Sequence, residues 1–591
     1  MNVVRFFRAL VVISLLAFLS GCGKSRPEQP AVGHPLPSPL IAACETGQTG
    51  GRLTLITVGM PRTFNPLIAR DPASDAVTRL LFSPLLSLDM VTQEVGPGLA
   101  ESWMVEPDQK TWTFKLRHGL RWSDGEPLTA DDVVFTWNEL MYDPEINQAT
   151  YGVFLVDGKR ISVSMLDELT VRLVTPEVFA PMLEYFSSVM ILPRHTFGPA
   201  LQGRRFASAY HAGTPPGQMA VSGPFRVKDV QENKYVLLER NPEYWMVDTN
   251  GQRLPYVDEV LIVAGFEGAP LGAFVGGQSD IFEICRPEHY EVIKRTAATG
   301  EVRIVELGAG SDRDFLWFNQ NTGADATGKP FVAPAKLRWF RDKRFRQAIS
   351  CALDRERIVR EVYGGRAQPA DTFFSAESRK WFNADVPRYN YDTNRARQLL
   401  GEAGLSDRNG DGMLQDADGT PVEFAIHSNS GNPLRAQAAN LIVEDLKRVG
   451  VKAALQVMNF QQLVGEINQT YDYECMFLGL GGGGADPATE LNVLKSDEPL
   501  HQWFPNQIRP STAWEARVDE LMTAQMHTLD FAQRKKLFDE VQSILAEEQP
   551  MICVVAPFHF AAARSSVANL RPSVATPYSL TWNLQELCFR K

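Results

Sequence analysis

Between residues 111 and 117 the side chains alternate strictly: Trp112, Phe114 and Leu116 are separated by Thr113 and Lys115, and Arg117 follows. A period of two puts the three apolar groups on one side, which predicts a strand with one buried face. Asp124-Gly125 then reads as a turn. Thr129 stands at a helix N-cap with Asp132 three residues on, the spacing of a capping box, and Asp131 and Asp132 both meet the positive end of the helix dipole. Val133, Trp137, Leu140 and Met141 recur at helical spacing and predict the apolar face of that helix.

The same two periods recur along the chain. Residues 51–57 and 169–173 alternate as strands, and 76–85 carry the spacing of an amphipathic helix. Residues 342–363 read as one helix stopped by Gly364-Gly365. Residues 395–403 end at Gly404 and 434–449 at Gly450, each a glycine able to take the left-handed conformation that closes a helix. Residues 451–457 alternate again, and a helix over 534–547 delivers the apolar run 551–555. Strands and helices interleave with no fixed repeat, so the class is α/β, or mixed α and β.

Length changes this picture first. At 591 residues, 44% apolar and 22% charged, the chain exceeds a single core and has ordinary globular composition, so two or three domains are expected. The N-terminus stands apart: Arg5 and Arg8 precede an apolar run over residues 9–19 that is short for a bilayer span and suits an export signal. Leu19-Ser20-Gly21-Cys22 then resembles a lipobox, in which Cys22 becomes the first mature residue and carries lipid. The alternative is a plain secretory signal with an incidental cysteine. Residues 1–21 are thus expected to be a signal peptide and 22–48 a lipidated, Pro/Gly/Ser-rich tether. Removing residues 1–21 takes away Arg5 and Arg8 and no acid, so the formal charge of −11 becomes −13, which argues against nucleic acid as a partner. The remaining cysteines, Cys44, Cys285, Cys351, Cys475, Cys553 and Cys588, are too scattered for a metal or redox motif.

Three stretches suggest chemistry. Gly323 to Lys329 fits GxxxxGK, but Pro330 replaces the hydroxyl residue that would hold magnesium, and a surface loop is expected. Residues 407–418 place Asp407, Asn409, Asp411, Met413 and Asp418 at ligand positions of a calcium loop, with Gly412 at the sixth position and aspartate where glutamate normally closes the site. Structural calcium (Ca2+) and a Gly/Asp-rich turn both remain open there. Leu478-Gly479-Leu480 runs into Gly481, Gly482, Gly483 and Gly484, where missing side chains let a ligand or another backbone approach closely, and Asp486 follows as either a ligand group or a helix cap. No HExxH, GxSxG or His/Cys cluster occurs, so no enzyme chemistry is expected.

Several strings resemble family 5 of the extracellular solute-binding proteins, the peptide and nickel binding class of ABC importers. They are Leu99-Ala100-Glu101-Ser102-Trp103, the run from Thr113 to Trp122, Asp124-Gly125-Glu126-Pro127-Leu128-Thr129-Ala130-Asp131-Asp132-Val133-Val134-Phe135, and Arg240-Asn241-Pro242-Glu243-Tyr244-Trp245. The resemblance implies a two-lobed periplasmic-binding-protein fold with an extra domain (type II, cluster C like). By matched landmarks, domain I comprises residues 49–82, 196–310 and 550–591, domain II 83–195 and domain III 311–549. It also implies a monomeric, membrane-anchored periplasmic receptor without catalysis, delivering a solute to ABC permease subunits. Peptide is the first expectation, with an oligosaccharide or a nickel complex as alternatives, and an extracytoplasmic enzyme or structural lipoprotein on the same fold as the competing class. Ligand contacts are implied for Phe64 and Asn65, for Phe460, and for Leu478, Gly481 to Gly484 and Asp486. The Trp and Asp that anchor a peptide in the family are replaced here by Leu478 and by glycines.

Overall fold

The computed structural model describes residues 34–36, 38–146, 154–266, 268–285, 287–310, 312–374, 376–481, 486–574 and 579–590. The signal segment and Cys22 lie outside the described residues. Residues 36–591 make one compact unit.

The alternating stretch forms the strand Thr111–Leu116, with Trp112, Phe114 and Leu116 buried as its period requires. It lies in a four-stranded antiparallel sheet, between Ala100–Val105 and Thr170–Val174, with Ser162–Asp167 at the far edge. Thr129 caps the helix Ala130–Phe135, and the capping box with Asp132 is present. The buried Asp132 carboxylate does more than cap. Its Oδ2 accepts from Thr129 N at 3.0 Å and Trp122 Nε1 at 3.2 Å, and its Oδ1 from Arg194 N at 2.9 Å, so three segments are held by one side chain. Burial pushes its pKa up despite these donors. After Phe135 the helix widens into a π-helical turn, Thr136–Met141, where a regular helix was expected. Thr136 Oγ1 donates to Asp132 O, a back-bond that competes with the regular ladder at this point. The turn delivers Trp137 onto Phe186, with ring centroids 4.4 Å apart.

A second sheet runs Phe225–Gln231, Tyr235–Arg240, Glu259–Gly265 and Arg52–Val58, the last pair parallel. One core joins this sheet and the first, from Leu53 and Phe64 through Trp137 to Val260.

The third sheet is built on one long strand, Met551–Arg564. Its first half pairs with Arg313–Phe318, and its second half with Val302–Ala309 and Ile281–Cys285. Beyond Arg313–Phe318, the strands Cys475–Leu480, Glu423–Asn429 and Lys452–Met458 are mutually parallel, the last two joined by the crossover helix Pro433–Arg448. Both faces of this central part are covered. Leu316, Phe318 and Ile426 face one apolar core; Phe315, Trp317 and Met476 face another, with Trp503 and Phe538. Hence Arg313–Phe318 is buried at every position and does not alternate.

The expected single helix over 342–363 is two. Lys343–Ala352 starts at the Asp342 cap and ends at Leu353; Asp354 then accepts from Arg357 N and starts Arg355–Glu361. Helix 76–85 begins earlier than its apolar spacing suggested, as Pro72–Leu81, because Asp71 supplies the cap. Among the described residues no helix is long and apolar enough to cross a membrane. Cys44, Cys351, Cys475, Cys553 and Cys588 are free thiols, and burial pushes Cys351 to about 11 and Cys553 to about 12.

Asp132→Ala leaves one buried donor, Trp122 Nε1, and two part-buried ones, Thr129 N and Arg194 N, without their acceptor, at about 1–3 kcal/mol for a buried donor that loses its partner and less where water reaches it. A loss of about 3 kcal/mol in denaturant unfolding is expected, with Asp132→Asn retaining part of it.

Candidate functional site

The two halves of the third sheet meet where the chain crosses twice. On one crossing, Val302–Ala309 passes through Gly310 and Asp312 into Arg313–Phe318. On the other, the long strand passes from Val555, opposite Asp314, to Phe558, opposite Ala309. Both ladders shift register here, between Glu306 and Gly308 and between Asp314 and Phe315. Irregular pairing of this kind bends strands and re-aims side chains.

Four residues from three segments converge at the crossing. His559 Nε2 lies 3.4 Å from Asp312 Oδ2. A Cβ added at Gly310 would stand 2.8 Å from the His559 ring, and one added at Gly481 would stand 3.0 Å from Asp312 Oδ1. Burial holds His559 below the usual imidazole value, and the Asp312 charge offsets this only in part.

Next to it, Asp314 is firmly engaged. Its Oδ1 accepts from Arg435 Nε at 2.9 Å and Nη2 at 2.7 Å, and its Oδ2 from Tyr363 Oη at 3.2 Å. Gly479 makes room for this pair, since a Cβ there would collide with the Arg435 guanidinium.

The expected ligand residues are placed unevenly. Phe64 and Asn65, expected to line a cleft, are fully buried: Phe64 N donates to Tyr210 O, and Asn65 Nδ2 donates to Phe206 O while its Oδ1 accepts from Leu67 N. An asparagine turned inward stitches two loops together, so this segment packs against the chain itself. Leu478 is buried opposite Phe315, in the core of the central sheet. Phe460 opens the helix Phe460–Gly465 and is 57% exposed. Gly481 is exposed beside Asp312; Gly482, Gly483 and Gly484 lie outside the described residues. Asp486 is 3% exposed and caps Pro487–Glu490 through Ala488 N. Both its oxygens are also held by Arg534, at 2.5 and 2.6 Å, beneath Trp381. A buried carboxylate so paired is structural rather than a free anchor.

The calcium reading of 407–418 does not fit the donor set. Asp407 accepts from Gly410 N and Gly412 N, Asn409 Oδ1 from Asp411 N, and Asp411 Oδ1 from Met413 N, while Asp418 turns away to pair with Arg338 Nη2 at 2.8 Å. The oxygens at the first, third and fifth positions also close a series of Asx turns, while the closing acid is held away by Arg338. Among the described residues no three His, Cys, Asp or Glu side chains are grouped to hold a metal.

Sequence reasoning missed a second meeting point. The segment before helix Met182–Ser188 touches the end of helix Ala513–Met526: Ala180 N donates to Met526 O at 2.7 Å, and His527 Nδ1 lies 2.7 Å from Val178 O. Glu184, half-buried there, is pushed up to about 7 by burial and by the Asp486 charge, with Arg534 and Lys380 acting the other way. No local pattern marks Glu184, Asp312 or His559, because each acquires its surroundings from remote segments.

The profile of the family described as "Bacterial extracellular solute-binding proteins, family 5 Middle" matches residues 94–500. The chain belongs to this family. It is similar to the oligopeptide-binding protein AppA of Bacillus subtilis, 28% identical over 558 residues covering 93% of this chain and 92% of that one. It is also similar to a probable ABC transporter-binding protein of Deinococcus radiodurans, 26% identical over 537 residues covering 87% and 88%. The solved structure of Bacillus subtilis AppA in complex with a nonapeptide superposes with a TM-score of 0.65 at 26% identity, covering 92% of this chain and all of that one. The protein is accordingly a solute-binding protein of an ABC transporter with the mixed α and β periplasmic-binding-protein fold, and not an enzyme.

The raised Glu184 carboxyl carries a pH signature. Its value in the fold exceeds the ordinary 4.5, so the folded state holds the proton more tightly, and stability falls as pH rises from about 4.5 through about 7. Glu184→Gln is expected to raise the thermal midpoint at pH 8 and leave it unchanged at pH 4, read by differential scanning fluorimetry.

Proposed function

We propose that the protein binds peptides between its lobes and delivers them to an ABC permease, held at the membrane by lipid on Cys22. The observation that carries this reading is the double crossing at Gly310–Asp312 and Val555–His559. Two adjacent strands carry the chain between the half-sheets, and a polar, glycine-flanked surface lies where they cross. The names of the relatives support peptide over other solutes. The proposed division is domain I at 49–82, 196–310 and 550–591, domain II at 83–195 and domain III at 311–549. The strands Val302–Ala309 and Arg313–Phe318 flank the proposed boundary at 310/311, and the strand Met551–Arg564 begins just past the one at 549/550, with its first half paired to Arg313–Phe318 of the proposed domain III.

Lobe closure follows the ligand's differential affinity. Moving a population from about 1:99 to 99:1 takes about 5.5 kcal/mol, which a peptide can supply through backbone and side-chain contacts to both lobes at once. A ligand that touches one lobe only shifts nothing.

Native mass spectrometry of gently purified protein is expected to show a heterogeneous set of co-purified peptides. A sugar or a bare metal ion that no peptide mixture displaces overturns the peptide reading and leaves the receptor role intact. For the anchor, Cys22→Ser is expected to shift the protein from the membrane to the soluble periplasmic fraction. Retention equal to wild type overturns the lipid tether.

A further inference from the structure

Asp312 and His559 lie 247 residues apart in sequence and meet where both chain crossings pass. Two glycines from different segments let the backbone approach the pair closely: a Cβ at Gly310 would stand 2.8 Å from the His559 ring, and one at Gly481 3.0 Å from Asp312 Oδ1. Neither glycine has a positive φ, so the backbone at both positions accepts other residues. Close approach of the backbone to the pair is therefore the reason for glycine here.

The charges point the same way. Asp312 is 43% exposed, and among the described residues no lysine or arginine lies within ion-pair distance of it. The cations nearby in sequence or across the sheet are engaged elsewhere. Arg313 Nη1 donates to Phe373 O, Arg435 holds Asp314, and Arg366 covers the Tyr290 ring and pairs with Glu291. His559 is 21% exposed, and its Nε2 has no hydrogen-bond partner among the described residues. Burial holds the imidazole below its usual value, with the Asp312 charge acting the other way. An accessible carboxylate with no lysine or arginine in ion-pair distance among the described residues is an acceptor for a cation.

We propose that Asp312, positioned by His559 and closely approached by the backbone at Gly481, receives the positively charged group of the bound solute. This rests on the peptide reading, and the group is then either the α-ammonium or a lysine or arginine side chain. Asp312 takes the part for which Asp486 is unsuited, because Asp486 already holds Arg534.

The test uses full-length protein and three synthetic random-sequence peptide pools: free N-termini without Lys or Arg, the same pool N-acetylated, and an N-acetylated pool containing Lys and Arg. Bound peptide is quantified by mass spectrometry after gel filtration. Wild type is expected to retain at least one cationic pool about 10-fold or more over the acetylated pool without Lys or Arg, the scale of one charge-assisted hydrogen bond. Preference for the first pool identifies the α-ammonium, and preference for the third a side chain. Asp312→Asn is expected to abolish the preference while still retaining the neutral pool and its thermal midpoint. Gly481→Ala, which crowds the same oxygen, is expected to reduce the preference and serves if Asp312→Asn does not fold. A wild type without preference, or variants with undiminished preference, overturns the role of Asp312 and spares the peptide reading. If wild type retains none of the pools, both fall together.

Discussion

One constraint governs the rest: the strand Met551–Arg564 belongs to two half-sheets at once. Its hydrogen bonds to Arg313–Phe318 and to Val302–Ala309 fix both halves to one backbone. Any relative movement must be absorbed where the ladders are already irregular, near residues 306–314 and 555–559. A few residues between regular elements are what a hinge requires. Asp312 and His559 stand at this point.

The carboxylates sort into two groups by what surrounds them. Asp132, Asp314 and Asp486 are buried, and each is matched by several donors: three segments for Asp132, Arg435 and Tyr363 for Asp314, Arg534 and a helix terminus for Asp486. Removing one partner from such an arrangement leaves an uncompensated charge in a poor solvent, so these residues specify the fold. Asp312 and Glu184 differ. One is accessible with no lysine or arginine in ion-pair distance among the described residues, and the other is half-buried beside a like charge. Groups left short of compensation are where function concentrates, because a ligand, a proton or a change of conformation has something to satisfy.

The glycines divide in the same manner. Gly479 makes room for the Arg435–Asp314 pair and is structural, whereas Gly481, two residues further along, and Gly310 on the other crossing let the backbone pack against Asp312 and His559. A glycine-rich stretch therefore carries both roles within three positions.

The sequence by itself determined whatever depends on neighbours within about one turn or one strand. Trp112, Phe114 and Leu116 announce their buried face by alternation, Thr129 and Asp132 announce a helix start, and the long signature around them identifies the family. It did not announce that 342–363 breaks at Leu353, since helical spacing continues through the break and only the Asp354 cap and packing on the central sheet separate the two helices. Nor could it turn Phe64 and Asn65 inward, join Asp486 to Arg534, or bring Asp312 to His559. Those outcomes depend on which remote segments become neighbours once the long strand has tied the half-sheets together. A side chain's burial, charge partner and remaining free space are properties of that closure, which local pattern does not encode.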